Sequence, residues 1–230
     1  MAAVEQSLPS GERSPGLIQS SVGRKLAMAF SGIVLFGFVT VHMLGNIQAY
    51  MGKATMNAYA EFLQHSLHGG GIWIFRSVLL AAVGLHGWAA LSLTLDNWKA
   101  RPQGYRAQQL QAATWSSRTM RWSGVVLAAF IVFHLLHLTT GQAHPNFIPG
   151  DAYANFVTGF KAPAASAFYI VAQLCLGLHL WHGVWSVTQT LGLSHPRYNT
   201  LRRAFASVLT VLVVGVNISY PIAVLAGVIK

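Results

Sequence analysis

Residues 167–192, AFYIVAQLCLGLHLWHGVWSVTQTLG, decide the fold. The stretch is long and apolar enough for a membrane helix, which needs ~20 mostly apolar residues. It nevertheless carries His179 and His182 near its middle. An ionisable ring inside a membrane span is expensive and by default marks a functional site. Three earlier apolar spans each hold a deep histidine as well, so the recurrence asks for one explanation.

Working outward, five spans can be drawn at 26–47, 72–95, 122–141, 164–191 and 204–228. Of the 230 residues 53% are hydrophobic and 9% charged, with a mean hydropathy of +0.48; a soluble chain carries about 25% charged residues. The expected class is all-α, an integral membrane bundle of five transmembrane helices. A membrane β-barrel would instead show alternating segments of about ten residues. Residues 1–25 read as a polar tail and 26–230 as one membrane domain. The first twenty residues lack the apolar core of a cleavable signal peptide.

The net charge of +10 does not indicate nucleic acid, because the basic residues form short clusters between spans. Arg13, Arg24 and Lys25 precede the first span. Lys99, Arg101, Arg106, Arg118 and Arg121 lie between the second and third, and Arg197, Arg202 and Arg203 between the fourth and fifth. The opposite side has only Lys53, Arg76, Lys161 and Lys230. Eleven against four predicts a cytoplasmic N-terminus and an outside C-terminus. The single cysteine, Cys175, excludes a disulfide framework, iron–sulfur ligation by this chain and covalent haem attachment through C-x-x-C-H.

In the first outer link, Tyr59, Phe62, Leu63 and Leu67 predict an amphipathic helix over 57–67, ended by Gly69-Gly70-Gly71. The second outer link, 142–163, holds Pro145, Pro149 and Pro163 and reads as ordered coil with a short turn. No internal repeat is evident.

Six of the ten histidines fall inside spans: His42, His86, His134, His137, His179 and His182. At ~1.5 Å of rise per residue from the outer end of each span, His42 lies roughly 8 Å deep and His134 roughly 11 Å. On the same scale His86 lies roughly 21 Å deep and His179 roughly 23 Å. The first and third spans thus supply an outer pair, and the second and fourth an inner pair. Two facing histidines at one depth in a helical bundle are natural axial ligands of a b-type haem. With both axial positions filled, the iron can only accept and pass electrons. Gly37, Gly45, Gly84, Gly87, Gly177 and Gly183 leave room near the ligands for a flat ring, although glycine also serves helix packing. A zinc or copper transporter would want carboxylate or sulfur co-ligands, and the spans hold no Asp or Glu well inside.

The lead-in and first span, GRKLAMAFSGIVLFGFVTVHMLGNIQAYMG, together with NAYAEFL, LHGWAALSLTLDNWKARPQGY, GVVLAAFIVFHLLHL and GLHLWHGVWSVTQTLGL, resemble the cytochrome b membrane anchor of succinate dehydrogenase and fumarate reductase. The resemblance is to the single-chain, five-helix, di-haem type, from about Gly23 onward. It implies two haem b groups with iron ligands His42 and His134 (outer) and His86 and His179 (inner). The choice of His134 over His137 rests on the resemblance, since depth leaves both open. His179 fits the family's pattern of glycine four and an aromatic six residues later, here Gly183 and Trp185. His137 and His182 then become supporting polar residues.

The resemblance further implies a subunit of the bacterial cytoplasmic membrane, serving the respiratory chain and the tricarboxylic acid cycle. Its partners would be an FAD-containing flavoprotein subunit and an iron–sulfur subunit on the cytoplasmic face. Electrons would pass to or from membrane quinone, menaquinone or ubiquinone, and the dicarboxylate chemistry would belong to the flavoprotein. Cytochrome b subunits of formate dehydrogenase or nitrate reductase form the alternative, but they place their ligands on other helices. Glu61 is the nearest acidic group for handling quinol protons. Gly177 stands where some relatives have a second acid. His65 and His68, at i and i+3, are too few to make a metal site.

Overall fold

A computed structural model describes residue 16, residues 20–100 and residues 115–230, with side chains from 119 onward in the last stretch. The described residues form helices and turns without a strand. The first half contains α1 (Ser21–Asn46), α2 (Lys53–His65) and α3 (Gly70–Lys99). The second contains α4 (Trp115–His134), α5 (Ala152–Lys161), α6 (Pro163–Thr190) and α7 (Asn199–Leu225). Five helical segments, built on α1, α3, α4, α6 and α7, are long and apolar enough to cross a membrane. They follow the five expected spans; each helix starts earlier than drawn, and only α3 runs past its drawn C-terminal end. Most of the tail, together with Arg13, Arg101 and Arg106, lies outside the described residues.

Local sequence explains where the helices begin. Ser20 caps α1, its hydroxyl accepting from Gly23 N at 3.0 Å. Asp151 caps α5 by accepting from Ala154 N at 3.0 Å. Pro163 opens α6, where a missing N–H does no harm. Gly52, at φ 98°, makes the turn into α2, a conformation that only glycine adopts without strain.

Two expectations for the outer links change. The glycine run does not end α2, which stops at His65; Gly70 and Gly71 instead start α3. The reversal between them uses Leu67 (φ 51°), His68 (φ 56°) and Gly69 (φ 82°), three consecutive left-handed residues. Gly71 is needed for closeness, since a Cβ there would stand 2.6 Å from Ser66 Oγ. The second link is ordered, but 152–161 is a helix rather than coil. Its Tyr153, Phe156, Val157 and Phe160 recur at i, i+3, i+4 and i+7, the helical period that the neighbouring prolines obscured.

The largest core lies at this end of the bundle, where α2, α5, α6 and α7 converge. Met56, Phe156, Phe160, Tyr169, Tyr220 and Val224 are buried there together. Elsewhere large apolar side chains such as Leu91, Val171 and Val211 face outward, as lipid-facing residues do. Helices approach through small residues instead: Ala89, Ala172 and Ala206 are fully buried. A Cβ on Gly177 would meet Val214 of α7 at 3.3 Å. At the opposite, basic end, Arg24 pairs with Asp96 at 2.5 Å. Arg121 lies over Trp98 there and Arg202 over Trp185.

The structure also reveals a repeat. Residues 28–42, MAFSGIVLFGFVTVH, match residues 120–134, MRWSGVVLAAFIVFH, in Met, Ser, Gly, Val, Leu, Phe and His. Each copy lies on a spanning helix followed by a shorter helix and another spanning helix. In each, that later helix packs along the first: α3 on α1 and α6 on α4. The chain is therefore two matching halves plus α7.

Candidate functional site: two histidine pairs between the halves

Each half contributes two histidines, and the pairs form between halves. His42 of α1 faces His134 of α4, ring centres 5.8 Å apart with planes 83° apart. His86 of α3 faces His179 of α6 at 6.1 Å and 58°. These are the outer and inner pairs expected from depth. The paired helices, α1 with α4 and α3 with α6, make no backbone approach comparable to α1 on α3 or α4 on α6. The imidazoles reach across wider gaps.

The partners of each ring follow the repeat. Phe38 stacks on His42, one turn later, at 5.2 Å, and Phe130 on His134 at 5.7 Å. His86 Nδ1 lies 3.2 Å from the Met28 carbonyl and 3.2 Å from Ser31 Oγ. His179 Nδ1 lies 3.4 Å from Ser123 Oγ, and the Met120 carbonyl is a further backbone partner of the ring. His134 Nδ1 meets the Tyr169 hydroxyl at 3.1 Å. Among the described residues nothing bonds Nε2 of His86, His134 or His179. His42 differs, its Nε2 facing the Asn46 amide at 3.3 Å. Ser31, Ser123, Met28 and Tyr169 were not anticipated; the repeated Met-x-x-Ser-Gly is the signal that would have found the first three.

Accessibility separates the two candidates on the third span. His134 is half-buried, as are His86 and His179, and His42 is exposed. His137 is 1% exposed. It stacks on Phe133 at 5.1 Å, meets the Tyr169 hydroxyl through Nδ1 at 3.1 Å, and lies against His144 at 5.2 Å. A Cβ on Gly159 would come within 2.8 Å of its Cε1. Its ring is thus enclosed by protein. The cause is a π turn over Leu135–Thr139, a widening that often marks functional sites. His182 is half-buried, three residues from His179.

The six glycines expected to make room divide in two. Gly45 and Gly177 pack against Tyr59 and Val214. A Cβ at Gly37, Gly84, Gly87 or Gly183 would meet nothing within 4 Å, so protein packing does not explain their missing side chains. Glu61 is exposed on α2, and His65 bonds its carbonyl through Nδ1 at 3.0 Å. His65 and His68 are exposed. Among the described residues no three His, Cys, Asp or Glu side chains converge; the histidines meet in twos.

A helical membrane bundle presenting histidine pairs between its halves defines the class. Residues 97–218 match the family of succinate dehydrogenase/fumarate reductase transmembrane subunits, and the chain belongs to that family. The match covers α4 to α6 and most of α7, with His134 and His179, and the repeat carries the same serine, glycine, phenylalanine and histidine into α1. Comparison with curated proteins and with solved structures finds no match. The chain is therefore a multi-pass membrane subunit of a succinate dehydrogenase/fumarate reductase complex.

Proposed function

We propose that the chain is the di-haem cytochrome b anchor of that complex, with one b haem between His42 and His134 and the other between His86 and His179. The supporting observation is the ring spacing. A first-row metal binds imidazole nitrogen at about 2 Å, and each ring centre lies roughly 1 Å beyond its nitrogen. Two axial rings therefore stand about 6 Å apart, against 5.8 and 6.1 Å here. The donor set fits too. Nδ1 is engaged and Nε2 unengaged on three of the four rings, and Asn46 would have to yield Nε2 of His42. Glycines with open space at their α-carbons flank the inner pair at Gly84, Gly87 and Gly183.

When bound, haem held by two histidines would supply one-electron uptake and release. His42, His86, His134 and His179 would hold it, with Phe38 and Phe130 stacked on the rings of His42 and His134. His137 supports His134 through Tyr169, and His182 stands beside the inner pair. The basic end, with Arg24, Arg121, Arg202 and Arg203, faces the cytoplasm, a reading that the charge asymmetry supports. There it docks the iron–sulfur subunit and, beyond it, the FAD-containing flavoprotein. Quinone reacts nearer the far end, where Glu61 is available to exchange protons with solvent.

A pyridine haemochrome assay with a reduced-minus-oxidised spectrum tests the reading. Two b haems per chain in the purified complex are expected; a chain without haem would contradict it.

A further inference from the structure

The two halves place the same serine against the same ring atom of opposite histidines. Ser31 Oγ lies 2.7 Å from the Ala27 carbonyl of its own helix, which takes the hydroxyl proton. Its oxygen then faces His86 Nδ1 at 3.2 Å as an acceptor. The Met28 carbonyl, which can only accept, points at the same nitrogen from 3.2 Å. His86 must therefore carry its proton on Nδ1 and present the Nε2 lone pair. The other half repeats this. Ser123 gives its proton to the Met120 carbonyl at 3.0 Å, and its oxygen faces His179 Nδ1 at 3.4 Å.

The glycine after each serine lies beside the same imidazole. A Cβ on Gly32 would stand 3.4 Å from His86 Cε1. One on Gly124 would stand 3.8 Å from His179 Cε1. Each Met-x-x-Ser-Gly segment thus forms a seat for the edge of an imidazole from the neighbouring helix. Both seats serve the inner pair; the outer pair uses Asn46 and Tyr169 instead.

We infer that Ser31 and Ser123 are matched positioning residues that fix the tautomer and orientation of His86 and His179, one from each half. This rests on the haem reading of the inner pair. An acceptor at Nδ1–H makes the imidazole a stronger donor at Nε2. A stronger donor favours ferric over ferrous iron and lowers the potential. The two serines should therefore act on one haem with the same sign.

The test is a spectroscopic redox titration of the assembled complex carrying Ser31→Ala, Ser123→Ala or both. Each single variant is expected to keep two haems and raise the potential of the same one. The ferrous-to-ferric ratio at fixed potential should rise by up to about tenfold, since partners beyond a ligand are typically worth 10–100-fold and the carbonyls remain. Tenfold is 59 mV for one electron. The double variant should shift further, the other haem should not move, and Ser→Thr should restore the parent value. Loss of that haem alone in an alanine variant, restored by threonine, would carry the same conclusion. Unshifted potentials, or shifts of different haems by the two serines, would overturn the inference while the haem reading stands. A parent complex without haem would overturn both.

Discussion

The Tyr169 hydroxyl stands 3.1 Å from Nδ1 of His134. The same oxygen is 3.1 Å from Nδ1 of His137, and one phenol proton serves only one ring. Tyr169 therefore donates to one histidine and accepts from the other, which ties the buried His137 to the outer pair. Tyr169→Phe removes both bonds. Interhelical hydrogen bonds in membrane bundles average about 0.6 kcal/mol, so the loss should be roughly 1 kcal/mol. Thermal melts of the complex should show that modest loss, with retention of the outer haem reduced and the inner one unaffected.

Glycines on the histidine helices and over His137 should behave oppositely. Gly159→Ala drives a methyl to 2.8 Å from His137 Cε1 and 3.2 Å from His144 Nε2, and overpacking of this kind costs typically 1–3 kcal/mol. A Cβ on Gly183 would meet nothing within 4 Å, so Gly183→Leu should leave the bundle's melting unchanged. It should nevertheless lower haem content at the inner pair, because the space beside His179 is where the ring would lie. A Gly183→Leu complex with full haem content would argue that this face meets lipid.

At the far end, Asp151 joins α2 to α5. Its carboxylate lies 2.6 Å from Lys53 Nζ and 2.9 Å from Asn57 Nδ2. Bonds from Lys53, Asn57 and Ala154 N hold its pKa down at about 2. Because the folded value is depressed, the stabilisation is complete above the unfolded value of about 3.9 and is lost as pH falls through about 2. Melting of the parent should decline over that window, and part of the decline should vanish in Asp151→Asn. Identical pH profiles would show that the clamp does not contribute.

The spans and the histidine pairing were legible because membrane hydropathy and helical rise are one-dimensional. Residues 164–191, for example, differ from the observed α6 by one residue at each end. Depth could not separate His134 from His137, because the π turn that buries one and leaves the other accessible has no signature in hydropathy. Helix α5 was readable from Phe156, Val157 and Phe160, but Pro145, Pro149 and Pro163 drew attention to coil. The Met-x-x-Ser-Gly repeat was present all along. It gained meaning only when α3 and α6 brought His86 and His179 against the two serines.

The central claim is the pairing, and the most direct measurement is haem stoichiometry with a redox titration in single His→Ala variants. His42→Ala and His134→Ala should lose the same haem. His86→Ala and His179→Ala should lose the other, and His137→Ala should keep both. A result in which His42→Ala and His86→Ala lose the same haem, or His137→Ala behaves as His134→Ala is expected to, would contradict the account.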